Sequence, residues 1–513
     1  MQGLTIGWLA RRNAWKWPDE AAVVQAGQGG REATLTHAEF EERTNRVANG
    51  LRELGLDAGE TVGIYLQNGV EVLELYVGAM KLGVLPVPLN HRFQGQEVAY
   101  VLEDSDVSAV VFDILAKHTL GTLREAGDVS AEEYLFVGEE PPDYATGYDT
   151  FRERAPRDAV DIVPTRLDDA TLLYTSGTTG DPKGCYLTHD NLLSQIETLA
   201  LSRSSWEDRD DRTLLVLPLF HVGAVARYVA DAYGGDTSVL MQHFQPDLVL
   251  ETIESERVTQ AAFVPTMARM LLDVEDFDAH DLGSLEEFAI GAAPADRALK
   301  QTITERFDCD LREVFGQTEL SPTTVMLSPD DVLEKPDSIG EPLQNVLVRV
   351  EDPETGEEVQ TGDIGRVCYK GPTVFRRYHD LPEENDRAFE DGWFKSGDLV
   401  RIDEDGFLQF AGREDDMIVS GGENIYPAEI EEVLVGHPDV ARAAVVGVPD
   451  EEWGERVKAA VVTEDGADPS EAALIDYVKD RIAGFKAPKE VEFLASLPKG
   501  PTGKVEKSEL SPE

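Results

Sequence analysis

Residues 174–184 run Tyr174-Thr175-Ser176-Gly177-Thr178-Thr179-Gly180-Asp181-Pro182-Lys183-Gly184, and the rest of the chain is best understood from this stretch. Five small residues, Ser176, Gly177, Thr178, Thr179 and Gly180, stand side by side after an apolar run, 170–174, that reads as a strand. A loop so built points several backbone N–H groups and three hydroxyls into one concavity, which is what a polyphosphate requires. Lys183 adds a positive charge at the far end. Gly, Ser, Thr and Pro also mark ordinary turns, but turns seldom combine this many hydroxyls with a lysine. The stretch is not a P-loop. That pattern needs G-x-x-x-x-G-K-[ST], whereas the fifth residue after Gly177 is Pro182, and Lys183 is followed by Gly184. The loop reads as a nucleotide grip of another kind.

Working outward, the 513 residues are too many for one core, so two or more domains are expected. The chain carries 46 Lys+Arg against 99 Asp+Glu, a net charge of −53. Nucleic acid and anionic membranes repel such a surface. The acid is spread along the whole chain, and in dilute buffer it repels itself. At molar salt the Debye length falls to about 3 Å and the repulsion is largely screened. The composition therefore predicts a salt-rich cytoplasm, as in halophilic archaea. Three cysteines, Cys185, Cys309 and Cys368, have no metal-ligand spacing and read as reduced, incidental thiols. The N-terminus lacks a signal-peptide apolar region, and no apolar run reaches the roughly 18 residues of a membrane span. A soluble cytoplasmic protein is expected.

The order of elements predicts an α/β fold. Apolar runs at 61–66, 84–89 and 107–112 read as strands; apolar residues at helical spacing over 72–80, closed by Gly83, and the stretch 97–104 read as helices. Strand–helix–strand order implies a mixed, largely parallel sheet. The acidic, proline-containing stretch 132–169 reads mostly as loop, and 214–217 and 261–264 as further strands. From about Gly412 the character changes. The charged joint Arg413-Glu414-Asp415-Asp416 precedes a small α+β pattern: a helix at 428–435, strands at 441–446 and 457–462, a helix at 471–482 and a strand at 491–494. The expected division is a large N-terminal domain, 1–414, and a small C-terminal domain, 415–513.

Further short segments follow in order: Leu217-Pro218-Leu219-Phe220-His221, Ile290-Gly291-Ala292-Ala293-Pro294, Phe315-Gly316-Gln317-Thr318-Glu319, Gly392-Trp393-Phe394-Lys395-Ser396-Gly397-Asp398, Gly412-Arg413-Glu414-Asp415, Ser420-Gly421-Gly422-Glu423 and Pro498-Lys499-Gly500-Pro501-Thr502-Gly503-Lys504. Alone, His221 reads as structural, Lys504 as solvated tail, and Gly291–Pro294 equally as a tight turn or a close backbone approach. Together with the 174–184 loop the ordered set resembles the adenylate-forming superfamily: acyl-CoA synthetases, peptide-synthetase adenylation domains and luciferases. The resemblance covers nearly the whole chain. It implies that Thr175 to Gly180 and Lys183 hold ATP's phosphates, that Gly291, Ala292, Ala293 and Pro294 approach adenine, and that Phe315, Gly316 and Gln317 line the same site. The family's usual aromatic at Phe315 is Tyr, so stacking survives here and a hydroxyl contact is lost. Thr318 would contact the α-phosphate and Glu319 would hold Mg²⁺, a hard cation suited to carboxylate oxygen. Asp398 would accept both ribose hydroxyls, and Arg413 would bind ribose or phosphate. Asp415 matches the hinge position, and Gly421 and Gly422 the loop facing the site in the thioester-forming state. Lys504 matches the lysine that reaches into the adenylation site. His221 would line and gate the acyl pocket, together with Val222, Gly223, Phe263 and Val264.

The function implied is an ATP-dependent acyl-CoA ligase of the AMP-forming type. Its partners would be a small carboxylate, fatty or aromatic, with ATP, Mg²⁺ and coenzyme A; the resemblance also allows a homodimer. Arg227 offers a charge for a second carboxylate, as in a dicarboxylate or succinylbenzoate, although its place six residues past His221 suits a salt bridge better. An amino-acid-activating domain would place an aspartate near the pocket, and Phe220-His221 offers none. A nucleotide-binding protein without turnover is the reading from outside enzymology, and the intact Lys504, Glu319 and Asp398 argue against it.

Overall fold

In a computed structural model, the structure describes residues 4–27, 33–93, 95–175, 182–201, 211–293, 295–420, 423–450, 453–464, 466–484, 486–499 and 505–511. The chain divides into two compact units, residues 1–347 with 370–392, and residues 348–369 with 393–513. Asp415 lies inside the second unit.

Among its described residues the first unit is built on three sheets. The largest has nine strands, in the order Glu341–Pro342, Thr323–Leu327, Asp310–Gly316, Glu287–Gly291, Gln260–Phe263, Arg212–Leu215, Thr237–Leu240, Ala21–Gln25 and Ala33–Thr36. Its interior pairs are parallel and its two edges antiparallel. Short strands such as Glu287–Gly291 are buried at Phe288, Ala289 and Ile290, the pattern of a sheet covered on both faces. A second sheet of five parallel strands runs Leu85–Pro88, Thr61–Tyr65, Val107–Phe112, Glu133–Phe136 and Thr146–Gly147. The helix Val70–Leu82 ends where Gly83 takes a φ of 80°, a left-handed cap that suits glycine. The third sheet is antiparallel: Arg377–Tyr378, Lys183–Thr188 and Asp169–Thr175.

The stretch expected to be loop, 132–169, departs from that reading. It holds the strand Glu133–Phe136 and the helix Tyr148–Arg154. Tyr134, Leu135, Phe136, Tyr148 and Phe151 are all buried. Burying these five side chains outweighs the turn signals of the surrounding prolines and acids.

The second unit contains two sheets. One includes Leu347–Glu351, Ile364–Lys370, Trp393–Ile402 and Leu408–Arg413. The other runs Glu423–Ile425, Ile418–Ser420, Gly454–Thr463 and Val440–Asp450, with Glu490–Phe493 parallel to Gly454–Thr463. Helices Pro427–Val435 and Glu471–Lys479 cover this second sheet through Ile430, Leu434, Leu474 and Val478, packed on Val445, Val457 and Val461. Large α/β and smaller α+β parts, with mixed and largely parallel sheets, are thus both present. Among the described residues no helix is long and apolar enough to cross a membrane.

Candidate active site

The antiparallel strands Asp169–Thr175 and Lys183–Thr188 flank the small-residue stretch, with Thr175 opposite Lys183. Thr175 Oγ1 donates to the Lys183 carbonyl at 3.4 Å. Ser176, Gly177, Thr178, Thr179 and Gly180 lie outside the described residues. The third strand of this sheet sets Tyr378 opposite Cys185, and the His379 amide donates to the Gly184 carbonyl at 2.7 Å. The Lys183 ammonium lies 2.7 Å from Glu384 Oε2 and 5.5 Å from the Tyr378 ring centroid.

The Tyr378 hydroxyl in turn donates to Glu319 Oε1 at 2.9 Å, and the Phe375 amide donates to the Glu319 carbonyl at 2.7 Å. Burial, reinforced by the Glu319 charge, drives the Tyr378 phenol far above its ordinary value, so it stays a donor and Glu319 an acceptor. Burial likewise pushes the Cys185 thiol well up, and Glu319 adds to the shift. A thiol held protonated in this way is no nucleophile, in keeping with its reading as incidental.

Glu319 reaches this cluster because the strand before it ends abruptly. Strands Glu287–Gly291 and Asp310–Gly316 run parallel, with Gly291 beside Val314. A Cβ on Gly291 would sit 2.5 Å from the Val314 carbonyl oxygen, and one on Gly316 would sit 1.8 Å from that of Pro322. Only glycine permits either approach. Beyond these ends, Ala292 takes a φ of 65° and both Ala292 and Ala293 are exposed; Pro294 lies outside the described residues. Phe315 is half-buried, and Gln317 caps the 3₁₀ turn Thr318–Leu320, in which Thr318 is half-exposed and Glu319 buried. His221 caps the helix Val222–Gly234 after another parallel strand, exposed, its ring 4.3 Å from that of Phe220. His221, Gly291–Ala293 and Phe315–Glu319 thus gather at the carboxyl ends of parallel strands of one sheet, where open α/β folds bind ligands.

On the acyl side one expectation changes. Phe263 is not a pocket wall: it is 2% exposed and packs on Phe288 with ring centroids 4.9 Å apart. Arg227 is engaged by Glu287 at 3.6 Å and by Gln260, so its charge is already answered.

In the second unit, Asp398 faces Arg413 across the antiparallel strands Trp393–Ile402 and Leu408–Arg413. Arg413 Nε lies 3.2 Å from Asp398 Oδ1. Asp398 is 4% exposed; its amide donates to Ser396 Oγ at 3.1 Å, and that hydroxyl donates to the Val367 carbonyl at 2.8 Å. Asp415 sits in the 3₁₀ turn Glu414–Asp416 between two anchored neighbours. Glu414 meets Arg366 at 3.1 Å, and Asp416 meets Lys507 at 3.6 Å. Gly421, Gly422 and Lys504 lie outside the described residues; Lys499 and Val505 form an antiparallel bridge.

Among the described residues no three His, Cys, Asp or Glu side chains converge as a metal cage. One buried carboxylate, Glu319, suits Mg²⁺ that arrives with phosphate oxygens and water as its other ligands. Sequence reading passed over Tyr378, Glu384 and Arg366. Pro382 followed by Glu383 and Glu384 is a helix-start signal, met by the helix Pro382–Ala388, but nothing local announces the partner of Glu384.

Residues 10–379 match the family model "AMP-binding enzyme" and residues 429–504 the model "AMP-binding enzyme C-terminal domain". A feruloyl-CoA synthase from Amycolatopsis sp is 37% identical over 99% of this chain and 98% of its own. A long-chain-fatty-acid–CoA ligase from Mycobacterium tuberculosis is 34% identical over 98% of this chain and 97% of its own. The structure of O-succinylbenzoate coenzyme A synthetase from Bacillus subtilis with ATP and magnesium ion superposes with a TM-score of 0.85 at 30% identity, covering 98% of each chain.

Proposed function

The chain belongs to the AMP-binding enzyme family and is an ATP-dependent acyl-CoA ligase, and we propose that its acid is a monocarboxylate with an apolar tail, fatty or aromatic. The observation that carries the site assignment is the contact chain Lys183–Tyr378–Glu319, one cation and one buried carboxylate held on either side of a single phenol. The satisfied Arg227 favours a monocarboxylate over a diacid.

In the first half-reaction the acid's carboxylate attacks the α-phosphorus of ATP, and the bond to pyrophosphate breaks. Two anions must meet, so donors fixed in advance at the developing charge matter most. Thr318 would hold the α-phosphate, Lys183 and the loop ahead of it the departing pyrophosphate, and Lys504 the charge developing between them. Mg²⁺ held by Glu319 would neutralise phosphate oxygens. Asp398, kept in place by Arg413 and Ser396, would take the ribose hydroxyls, with adenine against Phe315 and Gly291. The second half-reaction needs the thiol of coenzyme A at the acyl carbon, and AMP leaves. Rotation at Asp415 would exchange the Lys504 face for the Gly421–Gly422 face, a hinge motion taken up by few residues. The anchoring of Glu414 and Asp416 to different partners supports a pivot between them.

The net charge of −53 supports a salt-rich setting, and three unpaired thiols suit a reducing cytoplasm. A second copy of the chain is the protein partner this reading admits. The test is pyrophosphate release from ATP with a carboxylate panel, at molar KCl, with and without coenzyme A. Apolar monocarboxylates should drive it. Release with none of the acids would mean a nucleotide binder, and preference for diacids would reverse the reading of Arg227. Lys504→Ala should slow adenylation by about 10²–10³-fold and spare thioester formation from supplied acyl-adenylate; equal damage to both steps rejects the two-face scheme.

A further inference from the structure

The Lys183 ammonium does not wait for phosphate unaccompanied. Glu384 Oε2 stands 2.7 Å from it, and both side chains are 28% exposed, open enough for an incoming anion to exchange places with the carboxylate. Glu384 is itself held. The Tyr378 amide donates to Asn385 Oδ1 at 2.7 Å, and Asn385 Nδ2 donates to the Tyr378 carbonyl at 3.0 Å, clipping the helix Pro382–Ala388 to the strand beside Lys183. Arg387 donates to the second oxygen of Glu384.

We propose that Glu384 is a positioning residue that competes with nucleotide for Lys183: it holds the ammonium until ATP's terminal phosphates displace it, and recovers it as pyrophosphate leaves. The inference rests on the reading of Lys183 as a phosphate ligand. A fixed carboxylate beside a polyanion site opposes binding by occupying the cation and by repelling the ligand. The Lys183 hydrogen bond holds the Glu384 carboxyl below its usual range, so the competitor is charged at neutral pH. Its benefit is in turnover, because pyrophosphate gripped by an uncontested lysine leaves slowly.

The test is calorimetric titration of the full chain with MgATP, magnesium pyrophosphate and AMP. Glu384→Gln should bind MgATP and pyrophosphate about 1.5- to fivefold more tightly, the range of a partly exposed ion pair, and leave AMP unchanged. Glu384→Asp, which keeps the charge, should stay near wild type. Steady-state inhibition by pyrophosphate should strengthen in Glu384→Gln by the same factor. Unchanged or weaker MgATP binding in Glu384→Gln, or an equal shift for AMP, overturns the proposal. Lys183→Ala separates the two ways of failing. If it weakens MgATP while Glu384→Gln changes nothing, the competition is wrong and the phosphate role stands. If Lys183→Ala leaves MgATP affinity intact, the phosphate role falls and the competition with it.

Discussion

Gly316→Ala tests whether backbone packing, more than any side chain, positions the catalytic segment. The added Cβ would lie 1.8 Å from the Pro322 carbonyl oxygen, 2.8 Å from its carbon and 3.2 Å from Thr323 Cα. All three are backbone atoms, so no side chain can swing aside. Reaching ordinary contact demands a separation of about 1.5 Å between the two chain segments. That displacement falls where the pairing of Asp310–Gly316 with Thr323–Leu327 already shifts register. Gln317, Thr318 and Glu319 follow directly and must move with it. Overpacking of this kind costs about 1–3 kcal/mol, and misplacing reacting groups by about 1 Å costs about 10²-fold in rate. Urea denaturation followed in the first unit should give a lower midpoint, and kcat/KM for ATP in pyrophosphate release should fall about 10²-fold. Gly223→Ala supplies the contrast. No atom stands within 4 Å of its built Cβ, and alanine favours the helix by about 1 kcal/mol, so its midpoint should hold or rise. A Gly316→Ala enzyme with wild-type midpoint and wild-type kcat/KM would refute the assignment of Phe315–Glu319 as a rigidly placed segment.

Asp398→Ala should raise KM for ATP by ten- to a hundredfold, since hydrogen bonds to charged groups are worth about 1.5–3 kcal/mol, and should leave pyrophosphate binding intact; an unchanged KM removes the ribose role. His189 is fully buried, and burial pushes its pKa down to about 4 from an ordinary 6.5. Because the folded state binds the proton less readily than the unfolded one, stability should fall as pH drops from about 6.5 to about 4, by up to about 3 kcal/mol. His189→Gln should flatten that part of the urea-midpoint profile between pH 7 and 4.5, and an identical slope in both proteins would contradict it. The thermal midpoint of the wild type should climb between 0.1 and 1 M KCl as self-repulsion is screened; a flat or falling profile would reject salt adaptation.

Much of the fold could be read from the chain because its elements are locally consistent. The run 107–112 is the strand Val107–Phe112, and Gly83 stops its helix with a left-handed cap. Such signals are carried by contiguous residues. Where burial on both faces erases alternation, facing cannot be read. The strand Gln260–Phe263 has three of its four residues buried, so sequence offered no way to tell that Phe263 turns into the core. The helix Tyr148–Arg154 was hidden for the opposite reason: seven residues are too few for a periodic pattern to emerge beside four prolines.

The site divides along the same line. Motifs such as Phe315–Glu319 stay legible because a single backbone trajectory sets all their members. The pairings that tune them join residues far apart: Glu384 lies 201 positions from Lys183, and Arg366 lies 48 from Glu414. One property of these pairings follows from composition after the fact. With 99 acids to 46 bases, a cation near a nucleotide site is seldom far from a carboxylate. Lys183 has Glu384, Arg413 has Asp398 and Arg227 has Glu287. At Lys183, the proposed exchange of Glu384 for phosphate makes affinity depend on how firmly that carboxylate is held. Salt weakens the partly exposed Lys183–Glu384 pair together with the surface repulsion. If ionic strength steadies the fold as expected, it should also loosen the competitor proposed at Lys183, and the two effects should be separable by comparing the salt dependence of stability with that of KM in wild type and Glu384→Gln.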